Sequence, residues 1–434
     1  MNVLKSEIIQ RSTTPVGRKA PYYVKGLALG IPIYFVAIHM WTWILSVPVV
    51  LPKGGYDFRQ VYAASYIVRT GHASELYDYS AQKRVQDETV SQQPIALPYV
   101  SPSYEALVLA PLSWFHFRTA YFLFLAINVA ALGFCFFLMQ PWMHYLRSIY
   151  PWLPAALFLG FLPVAAALIE GQDSIFLMTC TVGAWVLLNE ERHLFAGMVL
   201  GIALFKFSII LPIALLFVFW RQWQFLLGFA ASGAAFAGIS IWLTGIAQTK
   251  LYVGTLFSIA GLRPATNGLA IYPVSWQMMA NVHGLVFTAA SQWAPKHVVE
   301  FATILLSAVV MGWTTIQGWR VKQGSKLLLL AVPCSVLISH HAYSHDLSVL
   351  LLPLIILLDG FLLSEALPGN SEHLIAGSAA VMFVAPIMES YSRNHFYFVA
   401  IPVMLFLWAV ATSLSKQSFA PKQAQSNLAQ ERLR

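Results

Sequence analysis

The sequence is poor in charge. Only 10% of its 434 residues are Asp, Glu, Lys or Arg, against 58% hydrophobic, and mean hydropathy is +0.66. An ordinary soluble domain is excluded, because apolar runs on this scale need lipid around them. Cysteine is scarce: Cys135, Cys180 and Cys334 all lie inside apolar runs with no CxxC spacing. Neither a zinc site nor a disulfide framework is suggested. Walker loop, GxGxxG and GxSxG are lacking, so ATP-driven and serine-hydrolase chemistry have no support.

What is present reads as an all-α polytopic integral membrane protein. Aromatic residues make up 14%, which fits interfacial belts. The formal +8 charge sits between apolar runs and reads as cytoplasmic anchoring, with no nucleic-acid partner. Lys5, Arg11, Arg18, Lys19 and Lys25 precede the apolar run from Gly26 to Leu51. At about 25 residues it is too long for a signal peptide and reads as a retained first membrane helix. The basic flank places residues 1–25 in the cytoplasm, so Asp57 emerges on the external face of the cytoplasmic membrane.

Basic turns then set the alternation of crossings. Residues 51–116 form a first external loop, opened by an amphipathic helix whose Phe58, Val61, Tyr62, Ser65 and Tyr66 share one face, expected to lie along the membrane surface. The stretch Tyr104 to Phe115 is too short to cross and belongs to the same outer structure. Arg118 to Met139, Trp152 to Leu168 and Ser174 to Leu188 cross next. Between Arg192 and Arg221 lies AGMVLGIALFKFSIILPIALLFVFW, basic at both ends with Lys206 in the middle. A single crossing would leave Lys206 at the bilayer centre, costing about 2.5 to 3.5 kcal/mol. A hairpin avoids this: arms of about 13 residues reach about 20 Å of the roughly 30 Å core, so the tip stops in a pocket open to the outside. The competing reading is a lysine that snorkels from an ordinary helix.

Phe225 to Gly245 crosses outward, and residues 246–296, with Arg263 and Asn267, form a second external loop. Val298 to Trp319, Leu327 to Ile338, Leu347 to Leu363, Leu374 to Met388 and Phe396 to Leu414 follow, giving about 12 membrane segments and two cytoplasmic termini. The chain divides into the N-terminus 1–25, a membrane module 26–246, a second group of loop and helices 247–414, and a disordered tail 415–434.

This topology carries Asp57, Gln172, Asp173, Lys206 and the run SHHAYSHD (Ser339 to Asp346) to one side. Ionisable groups at a membrane edge are functional candidates, each with a plainer reading beside it. Asp57 has capping-box spacing to Gln60, so it either caps the amphipathic helix or acts in catalysis. Gln172 and Asp173, in EGQDS, can start a helix. Glu105 suits the first turn of a helix dipole. The histidines can be interfacial loop residues, while His341, His345 and Asp346 have a spacing that is a weak signal for a divalent metal.

The ordered motifs DFRQVYAASYIVRTGHASELYD, YVSPSYEALVLAPL, EGQDSIFLM, AGMVLGIALFKFSIILP and ISHHAYSHDLSVLLLPL resemble glycosyltransferase family 87, polyprenyl-phosphate-sugar-dependent transferases of the GT-C fold. The resemblance spans Asp57 to Pro353. It implies seven membrane helices with surface helices in the first external loop, then a more variable group. It also implies a polyprenyl-phosphate sugar donor, a lipid or glycan acceptor, mannose as the default sugar, and Asp57 as catalytic base. His345 is the best counterpart of the family's functional histidine, although SHHAYSHD departs from the usual motif and leaves His341 open. The chemistry then needs a cation near the donor phosphate, for which Lys206, Arg59 and His345 are candidates, and Asp57 near the acceptor hydroxyl. No metal or other cofactor is required, because protein cations can stabilise the leaving phosphate. A membrane transporter or lipid flippase is the alternative, and it would show paired charges on broken helices and repeated halves.

Overall fold

In the computed structural model every regular element among the described residues is helical. The structure describes residues 22–259, 264, 275–363, 377, 378, 381–383 and 395–419. The basic N-terminus through residue 21, Arg263, Asn267, most of the segment 374–388 and the tail from residue 420 lie outside them.

Among the described residues six helical stretches are long and apolar enough to cross a membrane by length and composition: Gly30–Lys53, Phe117–Trp142, His193–Phe219, Trp223–Ile259, Lys296–Trp319 and Phe396–Leu414. Of these, His193–Phe219 reverses at Lys206 and so is not one straight crossing. Helices Leu153–Gly160 and Leu162–Glu170, bent by 57°, count as a seventh if taken as one span. The bend sits at Phe161, whose backbone is extended (φ −76°, ψ 109°), and Pro163 two residues on has no amide donor to carry the helix across it. About twelve segments are therefore not reached by length. Ser174–Asn189 and Gly324–Ile338 have only 16 and 15 residues. At about 1.5 Å per residue they fall short of a core of about 30 Å. Tyr34, Trp41, Ile44, Phe137, Leu227, Phe301 and Ile304 stand exposed on the long helices, as side chains facing lipid do.

We label α1 Tyr22–Val50, α2 Phe58–Arg69, α3 Tyr79–Thr89, α4 Ser103–Leu109, α5 Phe117–Met139, α6 Leu153–Gly160, α7 Leu162–Glu170 and α8 Ser174–Asn189. Then come α9 His193–Ile202, α10 Phe207–Phe219, α11 Trp223–Ile259, α12 Val282–Ala290, α13 Lys296–Trp319, α14 Gly324–Ile338, α15 Leu351–Leu363 and α16 Ala400–Phe419. The last runs through residues 415–419, inside the stretch expected to be disordered.

The reversal at Lys206 is present. Glycines let α9 and α11 touch backbone to backbone: a Cβ on Gly228 would fall 1.9 Å from the Leu194 carbonyl oxygen, one on Gly197 2.9 Å from the Phe229 nitrogen, and one on Gly201 2.8 Å from Ser232. The partners advance together along both helices, so α9 and α11 run parallel, and α10 must return between them. Its far end agrees, since Trp220 Nε1 donates to the Thr315 carbonyl at 3.0 Å, near the end of α13. The helix breaks at the tip, where Lys206 has φ −103° and ψ 55°.

At the loop end, α2 is buried on more than its apolar face. Phe58, Val61, Tyr62 and Ser65 are buried on the predicted face, and Arg59, Ala63, Ala64, Ile67 and Val68 are buried on the others. α3 and α4 pack against it, as does the 3-10 turn Ala110–Trp114, where Arg69 Nε donates to Ser113 Oγ at 2.8 Å. The periodicity marks a helix with one apolar face, but its small residues fit it into a crevice. α11 turns at Gly245 (φ 79°), where the crossing was expected to end. Beyond it the chain is helical to Ile259, with Tyr252 stacked on Tyr77 at 5.0 Å, and α12 replaces another part of the expected loop.

Candidate active site

Three separate turns supply the site. The first is the approach to α2: Gly54, at φ 62°, ends the turn after α1. Asp57 opens the helix with its own φ and ψ already helical, and its carboxylate caps no backbone amide. The capping reading of Asp57 therefore fails. Its side chain accepts a hydrogen bond from Gln172 Nε2.

The second turn is EGQD between α7 and α8. Gly171 has φ 65°, a left-handed conformation, and a Cβ there would fall 2.7 Å from Phe58 Cβ. Glycine at this place lets the turn approach the start of α2, which brings Gln172 to Asp57. Asp173 begins α8 without capping it. It meets Lys206 Nζ at 2.8 Å instead.

The third is SHHAYSHD, between α14 and α15, in which Ser344–Leu350 is 3-10 helix. One Asp346 oxygen accepts from the Tyr343 amide at 3.1 Å and so caps the turn. The other meets Lys206 Nζ at 3.1 Å and accepts from Ser174 Oγ at 3.0 Å. His345 Nδ1 lies 2.8 Å from Glu170 Oε2, and Nε2 lies 3.6 Å from Asp346 Oδ1.

Lys206 joins these turns, since its Nζ also donates to Gln172 Oε1 at 3.3 Å. One continuous network thus holds Asp57, Glu170, Gln172, Asp173, Lys206, His345 and Asp346. Glu105 adjoins it: Tyr99 donates to one carboxyl oxygen at 3.2 Å, and the other side bears on Asp173. Breaking such buried pairs is costly, because each leaves a charge uncompensated.

Electrostatics divides the roles. Burial pushes Asp57 up to about 6, and the neighbouring Glu170 charge adds to this against His345, Gln172 and Lys206. Burial and Asp173 hold Glu105 well above the ordinary carboxyl range. For His345, burial alone favours the neutral ring, but Asp346 and Glu170 overcome it and raise the group to about 8. Asp346 is held low despite its burial, chiefly by Lys206 and His345. His341 falls to about 4 through burial, so its ring is neutral. It packs edge-on to Tyr343 at 4.4 Å, and its carbonyl accepts from Ser208.

Two expectations need correction. Arg59 stays out of the network: its Nη2 reaches Ser91 O at 3.4 Å and Asp87 at 3.8 Å, because two residues along a helix turn a side chain about 200° from Asp57. The groups placed to bind a metal are also different from the predicted set. Asp57, Glu170 and His345 offer three ligand atoms within 4.8 Å of one another, and His341 is absent from that group. The charged imidazole favoured at His345 has no lone pair to give a metal, so proton and ion compete there.

With the geometry in view, comparison with known proteins decides the family. The sequence model of glycosyltransferase family 87 matches residues 99–353, more than half of the chain. The chain belongs to glycosyltransferase family 87. No curated protein and no solved structure gives a match. In this family 87 glycosyltransferase the matched region contains Glu105, Gln172, Asp173, Lys206, His341, His345 and Asp346, while Asp57 and Arg59 precede it.

Glu170 is the residue that sequence reasoning missed. It ends an apolar helix inside EGQDS, and a carboxylate closing such a run is itself a signal. Ser174 and Tyr99, which hold Asp346 and Glu105, carry no comparable mark in the sequence.

Proposed function

We propose that this glycosyltransferase moves a hexose, mannose by family default, from a polyprenyl-phosphate donor to a hydroxyl of a lipid or glycan acceptor on the external face of the cytoplasmic membrane. Asp57 takes the proton of the attacking hydroxyl. The new bond forms at the anomeric carbon as the bond to the polyprenyl phosphate breaks, with inversion, and the phosphate leaves with the bonding electrons.

The observation that carries this reading is the convergence of Asp57, Lys206 and His345 in one network. They come from turns nearly 300 residues apart, and neither a scaffold nor an ordinary packing need brings them together. A general base works best with a pKa near the working pH, and Asp57 at about 6 meets that condition. Lys206 and the charged His345 ring offer fixed positive charge to the departing phosphate, so the reading requires no metal. Gln172, Asp173, Asp346 and Glu105 position these groups, with Glu170 setting the charge of His345 and Asp57.

The test is transfer of radiolabelled sugar from polyprenyl-phosphate-mannose to membrane lipid extract by the purified protein. Label in a new lipid or glycan product supports the reading. No transfer from that donor or from a panel of other polyprenyl-phosphate sugars, with protein that remains folded, overturns the proposed donor class.

A further inference from the structure

Arg59 leads to a second site. A cavity of about 320 Å³ opens beside the end of α1, lined by Val49, Val50, Lys53, Gly54, Gly55, Arg59, Gln93, Ile95 and Leu97. It lies on the far side of the first turn of α2 from Asp57. Arg59 is 3% exposed, and its Nε has no hydrogen-bond partner. Its other contacts are long, at 3.4 Å to Ser91 O and 3.8 Å to Asp87, and Asp87 is already bound by Lys83. A guanidinium held this way keeps unused donor capacity.

The remaining lining fits one kind of ligand. Lys53 is exposed at the end of the spanning helix, and no acidic residue lines the cavity. The Lys53 carbonyl accepts from Ser91 Oγ at 2.7 Å and Gln93 Nε2 at 2.9 Å, which ties the 91–93 loop to the turn after α1. A Cβ on Gly54 would fall 2.6 Å from Val90, so only glycine allows this approach. Two apolar lining residues are exposed, Val49 at the end of the spanning helix at 56% and Ile95 at 40%. Positive donors beside exposed apolar side chains match a phosphate carried on a hydrocarbon chain, and arginine suits phosphate geometry.

We propose that this cavity binds the phosphate of a membrane lipid at the surface, with Arg59 and Lys53 on the phosphate and the chain running along α1. Because Arg59 and Asp57 face different sides, this phosphate is a positioning contact and not the leaving group. The binding does not depend on the transferase reading, so the two fail separately.

Native mass spectrometry of the detergent-purified full chain tests it, titrating phosphatidylglycerol, polyprenyl phosphate and phosphatidylcholine in separate arms. The wild type is expected to retain an anionic lipid over phosphatidylcholine. Lys53→Glu should weaken that retention about tenfold, and Arg59→Gln at least as much, while Asp57→Asn keeps it. Tighter phosphatidylglycerol assigns the site to bulk anionic lipid, and tighter polyprenyl phosphate assigns it to the carrier. Lys53 is exposed, so its variant decides the matter if Arg59→Gln does not fold. Wild-type retention of both anionic lipids by folded Lys53→Glu, or retention no better than for phosphatidylcholine, overturns the proposal.

Discussion

Replacing Asp57 by Asn separates a catalytic carboxylate from a structural one. Asparagine keeps the size of the side chain and an oxygen to accept from Gln172, but it takes no proton from an acceptor hydroxyl. Loss of a positioned general base lowers transfer by about 10²- to 10⁴-fold. Stability should move the other way. Asp57 has a folded value of about 6 against 3.8 for the free group. The folded chain therefore binds the proton more tightly, and the cost of ionisation grows from pH 3.8 to about 6 and is constant above. At about 1.36 kcal/mol per unit this cost is at most about 3 kcal/mol at neutral pH, less what solvent screens from a partly exposed group. Asp57→Asn removes it, so thermal unfolding in detergent at pH 7.5 should occur at or above the wild-type midpoint while transfer collapses. A folded variant with near wild-type turnover would refute the assignment of Asp57 as base. A midpoint well below wild type would show the carboxylate to be a structural anchor.

Transfer should follow a bell in pH, rising through about 6 as Asp57 ionises and falling through about 8 as His345 loses its charge, apparent values that belong to the coupled network. For stability His345 has the opposite sign to Asp57: its contribution is full below 6.5 and is lost as pH rises through about 8. Glu170→Gln removes a charge that raises both groups, so both limbs of the profile should move to lower pH; an unshifted profile would exclude Glu170 from the site. Lys206→Met leaves Asp173 and Asp346 buried without their cation, costing about 3 to 5 kcal/mol, and should reduce the yield of folded protein, measured by size-exclusion chromatography. Gly171→Ala strains a left-handed residue and presses on Phe58, so about 1 to 3 kcal/mol of stability should be lost, with transfer falling as Gln172 shifts from Asp57. Unchanged unfolding and transfer would show that the turn accommodates a side chain.

The sequence by itself determined that this is a helical membrane protein, where the long spans lie, and that the chain reverses at Lys206. Those properties are local: hydropathy over a span and the cost of one charge in lipid are set by residues adjacent in the chain. Five motifs in order were enough to point to the family. The sequence could not count crossings, because short apolar helices such as Ser174–Asn189 are covered by neighbours rather than cut to bilayer thickness. Its periodicity marked one buried face on α2, while the partners that bury the other faces come from α3 and α4. Only the tertiary structure decided what each polar group does. Asp57 has capping-box spacing, yet its carboxylate is bound by Gln172, 115 residues away. Glu170 meets His345 across 175 residues, and Arg59 turns from Asp57 toward Asp87. A side chain's partner is chosen by which turns the packed helices bring together, and that long-range meeting is not written in local spacing.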